Sequence, residues 1–214
     1  MSGFIEKHGS ELITKIFEHL YISLTALIIG TMIAVPIGII ISRNKKVSQI
    51  VIGVTSILQT IPSLALLAIV VPYLGVGRTP AIFALVIYSL LPILRNTVLG
   101  MEGVDHNTLD AAKGMGMNPM QLVFKVQLPL AMPILISGIR LSGTYVLAWA
   151  TLAAYIGAGG MGDFIFAGLN NYNITLILVG TISITTMTLL IDYLFGKLEN
   201  YLTPKTSNMI GDDV

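Results

Sequence analysis

The sequence predicts an all-α membrane protein that crosses the bilayer about five times. Only 11% of the 214 residues are charged and 54% are hydrophobic, with a mean hydropathy of +0.84, whereas a soluble domain carries about 25% charged residues. The apolar residues also gather into runs, with at most one charge inside each, of the roughly 20 residues that a helix needs to cross the hydrocarbon core. Helices are required because an open sheet leaves backbone groups unpaired in lipid. The near-zero net charge, +1, argues against a nucleic-acid partner. The absence of cysteine removes disulfides, thiol chemistry and cysteine-ligated metals.

The first segment, residues 1–19, places Leu12, Ile13, Ile16 and Phe17 near helical spacing with charges between them, which predicts an interfacial amphipathic helix. Glu6, Lys7, Glu11, Lys15 and Glu18 precede any long apolar run, so no cleavable signal peptide is expected. The transmembrane domain follows over residues 20–202. Leu20 to Ser42 is the first span, ended by Arg43-Asn44-Lys45-Lys46. Val47 to Tyr73 is the second, with Pro62 and Pro72 inside, and Pro80 to Leu94, continuing to Met101, is the third, with Pro92 and Arg95. Leu130 to Ile156, carrying Pro133 and Arg140, is the fourth, and Ile174 to Phe195, carrying Asp192, is the fifth. The polar tail, residues 203–214, is expected to be disordered. Counting basic residues along this path places the N-terminus outside, with the Arg43–Lys46 loop, the loop at 102–129 and the C-terminus in the cytoplasm. Pro36, Pro62, Pro92 and Pro133 lie within spans and predict kinks. Gly30 with Ala34, and Ser137, Gly138, Ser142 and Gly143, predict close helix approach.

The loop at 102–129 is the one long polar interruption. Asn107 reads as an N-cap with Asp110 in the first helical turn, Gly114 and Gly116 as the helix end, and Asn118-Pro119 as a second N-cap with proline at the first position. The second short helix is expected to stop before Pro129. Two short helices at a glycine bend form a docking surface, to which Met115, Met117 and Met120 add flexible apolar contacts. Asp110-Ala111-Ala112, then three residues, Gly116, nine residues, Val126, one residue and Leu128-Pro129 is the spacing of the EAA loop. The chain therefore resembles the permease subunits of bacterial ABC importers, with Asp for the usual Glu and Val126 for the usual isoleucine.

Gln59 to Ala65, Leu90 to Thr97 and the run Gly157-Ala158-Gly159-Gly160-Met161-Gly162 resemble the osmoprotectant branch, which takes glycine betaine, carnitine and choline, on a membrane fold like that of the methionine importer. The resemblance implies that Asp110, Ala111, Ala112, Gly116, Met117 and Pro119 belong to a coupling helix seated on a partner ATPase dimer. It also implies a second permease subunit, of the same or a sister chain, an extracytoplasmic substrate-binding protein, and a location in the bacterial cytoplasmic membrane among its lipids. ATP and magnesium would be held by the ATPase and no cofactor by this chain; the glycine run lacks the Gly-Lys-Ser/Thr ending of a phosphate-binding loop. Another small solute on the same architecture, such as methionine or an oxyanion, is the nearest alternative, followed by a channel or an intramembrane enzyme.

Four residues inside the spans carry further expectations. Arg140 and Asp192 are costly in lipid and are read as a structural ion pair, with a role toward substrate as the alternative. Tyr145 and Trp149 share a helix face with Leu152 and Ile156, and aromatic faces attract quaternary ammonium cations, so they are candidates to line the pathway; packing or interface-belt roles are the alternative. Asp163 and Asn170 to Asn173 face a binding protein or solvent. His8, His19 and His106 have no metal-ligand spacing and are assigned no chemistry, and no combination of nucleophile, base or paired carboxylates at depth supports an enzyme.

Overall fold

The computed structural model describes residues 2–203, with side-chain surroundings from His8 onward; nearly all of the predicted tail lies outside the described residues. Among the described residues every regular element is helical. Helix α1 runs over Ser2–Ile41. Helices α2 (Lys45–Thr60) and α3 (Ser63–Leu74) follow, then α4 (Arg78–Glu102) and two short helices, α5 (His106–Gly114) and α6 (Pro119–Leu122). A π-turn at Val123–Gln127 leads into α7 (Leu128–Trp149), which tightens into a 3-10 segment at Ala150–Ile156. Helices α8 (Gly162–Asn170) and α9 (Ile174–Leu202) complete the chain. Among the described residues four helices are long and apolar enough to cross a membrane, or up to five when α2 and α3 are taken as one bent span.

Four boundaries differ from those the sequence predicts. The amphipathic stretch and the first span are one unbroken helix, α1. The second span is broken: α2 and α3 meet at 92°. Ile61 is extended there, the conformation a following proline favours, and Pro62 has no N–H to continue the ladder. The helix beginning at Pro119 does not stop before Pro129 but continues through the π-turn into the fourth span, and Leu128 N–H reaches back to the Val123 carbonyl. A wide turn of this kind absorbs a residue that cannot follow the ordinary i to i−4 pattern. The last span extends through Lys197 and Glu199 to Leu202, and the segment before it folds as α8.

Helix α4 is the centre of the bundle, packed between α1 and α7, with α2 and α3 also against it; α7 in turn holds α9, and α8 lies on α9. Between α1, α4 and α7 sit Leu27, Ala34, Ile93, Leu94, Leu135 and Ile139. Lipid tails are as apolar as these side chains, so close van der Waals packing rather than water exclusion holds them together. The small residues serve that end. A Cβ at Gly30 would fall on Ser89 Oγ, and one at Gly138 would fall on Asn96 Cβ and lie 3.0 Å from the Pro92 carbonyl oxygen. Buried Ser142 donates to the Ser89 carbonyl at 3.1 Å, which adds a polar tie across the same seam.

Candidate functional site

The polar elbow formed by α5, Gly116 and α6 projects from one end of the bundle and is the best-formed candidate site. Its first helix starts two residues earlier than the Asn107 cap predicts. Asp105 is the N-cap: its carboxylate accepts from Thr108 N–H at 3.1 Å and from Thr108 Oγ1 at 3.2 Å. The backbone N–H of Thr108 is the main reason that the Asp105 carboxyl lies below its ordinary pKa. Asp110 therefore falls in the second turn, where it accepts from Lys113 Nζ at 2.9 Å. That bond, with His106 nearby, holds its carboxyl low as well.

The two alanines part ways: Ala112 is buried at the root of the elbow and Ala111 is exposed. Helix α5 ends at Gly114, Gly116 N–H donates to the Lys113 carbonyl at 2.9 Å, and Met117 N–H donates to the Ala112 carbonyl at 3.3 Å. Gly116 reverses the chain at φ +82°, a left-handed conformation that side chains disfavour. Asn118 then caps α6 in a capping box with Gln121, and Pro119 takes the first position. Asp110, Gly116 and Pro119 are exposed and Met117 half-buried, while Met115, Met120 and Phe124 expose more than half of their area. The base is rigid: Val123 packs with Met101 and Ala131, and Gln127 Nε2 donates to the Met101 carbonyl at 3.0 Å. The result is an apolar, methionine-rich tip on a fixed stem.

Two further constellations lie within the bundle. Arg140 on α7 meets Asp192 on α9 in a two-pronged pair, Nε at 2.6 Å and Nη2 at 2.7 Å, and its third nitrogen reaches Glu199 at 3.2 Å. Sequence reasoning missed Glu199 because it ended the last span at Phe195. Tyr145 stacks on Trp149 at 5.6 Å between ring centres, and Tyr88 of α4 meets Trp149 edge-on at 4.6 Å. Tyr88 OH donates to the Ile61 carbonyl at 2.6 Å, so the aromatic group is tied to the break between α2 and α3.

The same chain matches the family model described as a binding-protein-dependent transport system inner membrane component, over residues 26–208. It belongs to this family. The carnitine transport permease protein OpuCB of Listeria monocytogenes is 54% identical over 202 residues, covering 94% of this chain and 93% of that protein. The glycine betaine/carnitine/choline transport system permease protein OpuCB of Bacillus subtilis is 49% identical over 205 residues, covering 96% and 94%. Among solved structures, an inward-facing form of the MetNI methionine ABC transporter superposes with a TM-score of 0.82 at 23% identity, over 90% of this chain and 96% of that one, and shows the shared fold.

At the opposite end of this family member, the glycine run has a structural use. Gly157, Gly159 and Gly160 all take positive φ. A side chain at Gly159 or Gly160 would crowd Glu18 or His19 of α1. Glu18 accepts from Gly160 N–H at 3.1 Å and Lys15 Nζ at 3.0 Å, and pairs with Arg78 at 2.8 Å, while Lys15 also pairs with Asp163 at 2.6 Å. His19, completely buried, has its Nε2 3.0 Å from the Leu147 carbonyl. Sequence reasoning had no signal for this network, since apart from Lys15 and Glu18 its contacts join residues 60 to 148 positions apart. Among the described residues no group of three or more His, Asp or Glu is arranged to hold a metal ion.

Proposed function

We propose that the chain is the membrane-spanning permease subunit of a bacterial ABC importer for quaternary ammonium osmoprotectants, of the glycine betaine, carnitine and choline class. The observation that carries this reading is near full-length identity of 49–54% to permeases named for those solutes. Counting the bent α2–α3 pair as one span gives five, with the N-terminus outside and the elbow and C-terminus in the cytoplasm. Residues 1–19 are then the outer N-terminal segment, residues 20–202 the permease domain, and residues 203–214 a cytoplasmic tail.

In this arrangement the elbow seats in a partner ATPase dimer. Asp110 and Lys113 supply charge at its rim, the exposed methionines supply adaptable contact, and Gly116, Met117 and Pro119 set the turn that presents them. ATP and magnesium act on the partner, so this chain contributes no catalysis. A second permease subunit completes the pathway, and a binding protein delivers solute from outside. Tyr145 and Trp149 line the pathway and offer ring faces to a passing ammonium group; Arg140 and Asp192 hold α7 to α9.

The test is reconstitution of the chain with its ATPase and binding protein in vesicles. ATP-dependent glycine betaine uptake is expected, with uptake lost in Gly116→Pro and Asp110→Arg while the variants still fold. Failure of the wild type to transport any quaternary ammonium solute, or uptake in both variants at the wild-type rate, overturns the reading.

A further inference from the structure

Beside the elbow, the last turns of α1 and the start of the π-turn enclose a groove of about 310 Å³, lined by Ile39, Ile40, Met120, Val123 and Phe124 with Arg43 at its mouth. No carboxylate lines it. Arg43 lines it, Lys45 and Lys46 follow where α2 begins, and Lys125 is next to Phe124 in the π-turn. Arg43, Lys45, Lys46 and Lys125 are all exposed, and none of them has a carboxylate partner among the described residues. At the far end of the bundle Lys15 and Arg78 are both neutralised by acids. Uncompensated cations therefore concentrate at one end, next to an apolar slot that opens between two membrane-spanning helices.

Directly after the three cations, α2 carries an exposed apolar face. Val47, Ile50, Val54 and Ile57 recur at helical spacing and are all exposed. Asn44 caps this helix through Lys46 and Val47 N–H, which fixes the turn that carries the three cations directly after α1. Charge above and hydrocarbon-sized apolar surface below match one class of molecule.

We propose that the groove binds an anionic phospholipid, its phosphate held by Arg43, Lys45 and Lys46 and an acyl chain lying along Ile39, Ile40, Val123 and Phe124. An acidic headgroup satisfies cations that no protein group satisfies, and the chain fills a slot that water covers poorly. The lipid so placed touches both α1 and the stem of the elbow. The site rests on the functional reading above only for naming the leaflet, which is the cytoplasmic one.

The experiment is native mass spectrometry of the purified full-length chain with phosphatidylglycerol, phosphatidylcholine or inorganic phosphate. Lipid retention is read without ATP or solute, so its failure is separate from a failure of transport. Phosphatidylglycerol is expected to be retained over phosphatidylcholine. Neutralising one cation near a charged lipid surface weakens binding about fivefold, and Arg43→Gln with Lys45→Gln and Lys46→Gln on the order of a hundredfold. Ile40→Glu, at an exposed position of the groove, is expected to lose the lipid too, whereas Arg43→Lys with Lys45→Arg and Lys46→Arg keeps it. Trp149 emission reports that each variant is folded. Equal retention of the two lipids, or undiminished retention by the triple Gln variant, overturns the proposal. Displacement by millimolar phosphate reassigns the cations to a free anion, and loss of lipid on addition of the ATPase assigns the groove to that protein.

Discussion

Replacing Arg140 by Leu gives the most direct measure of what holds α7 to α9. The substitution leaves Asp192 and Glu199 facing the same space without a cation. Breaking a fully buried pair by removing one partner costs about 3–5 kcal/mol, while an exposed pair contributes at most about 1 kcal/mol. Arg140 and Asp192 keep 36% and 35% of their side-chain area exposed, so the cost falls between these limits, at roughly 2 kcal/mol. For a chain of this length that lowers the unfolding midpoint by about 4–8 °C. Asp192→Asn leaves the guanidinium with Glu199 at 3.2 Å and is expected to cost about half as much. Combining Arg140→Leu with Asp192→Leu removes one of the stranded acids and recovers part of the loss, a coupling of about 1 kcal/mol. The chain has one tryptophan, so its emission against temperature in detergent follows unfolding from a single position. Below the midpoint, uptake per folded molecule should be unchanged. A midpoint for Arg140→Leu within a degree of the wild type, or Asp192→Asn as damaging as Arg140→Leu, refutes the reasoning; an altered KM for solute moves the pair into the pathway.

Three further outcomes follow from packing and capping. Gly30→Ala should destabilise by about 1–3 kcal/mol, because its methyl group meets Ser89, and adding Ser89→Gly should restore the thermal midpoint. Tyr88→Phe should cost about 1 kcal/mol by leaving the Ile61 carbonyl at the helix break without its donor. Tyr88→Leu should cost more and shift Trp149 emission, because it also removes the edge contact with that ring. For Asp105, the folded pKa is depressed by the Thr108 amide, so its support of α5 is present above the ordinary carboxylate range and is lost as pH falls through the folded value. Hydrogen-exchange protection across residues 105–118, corrected for the intrinsic rate, should fall on acidification in the wild type. The fall should be smaller in Asp105→Asn, where only Asp110 still loses its bond from Lys113, and protection should be low throughout in Asp105→Ala.

Much of the architecture was legible in the sequence because lipid leaves few choices. Apolar runs of spanning length have to be helical, and the runs ending near Ser42 and Met101 are found as helices that end at Ile41 and Glu102. Arg140 and Asp192 stood out as lone charges in apolar runs, and they meet. What stayed hidden depends on choices between equivalent local signals or on contacts across the fold. Asp105 and Asn107 both have cap chemistry; only the path out of α4 decides that Asp105 reaches Thr108. Pro62 reads as a kink, and its extension to a right angle depends on Tyr88 accepting the task of satisfying Ile61 from another helix. The glycine run suggested a turn, but its partner, Glu18, lies more than 140 positions away.

Helix α1 is a rod of 40 residues, about 60 Å long, roughly twice the thickness of the hydrocarbon core. The part beyond the first span is clamped by Lys15, Glu18 and His19 onto the glycine run, Asp163 and Leu147, all C-terminal to the centre of α7. The other end carries Ile39 into the base of the elbow. One helix, with Pro36 in its last turns, thus joins the glycine run at one end of the bundle to the elbow at the other, so a change of packing at either end acts on the same element.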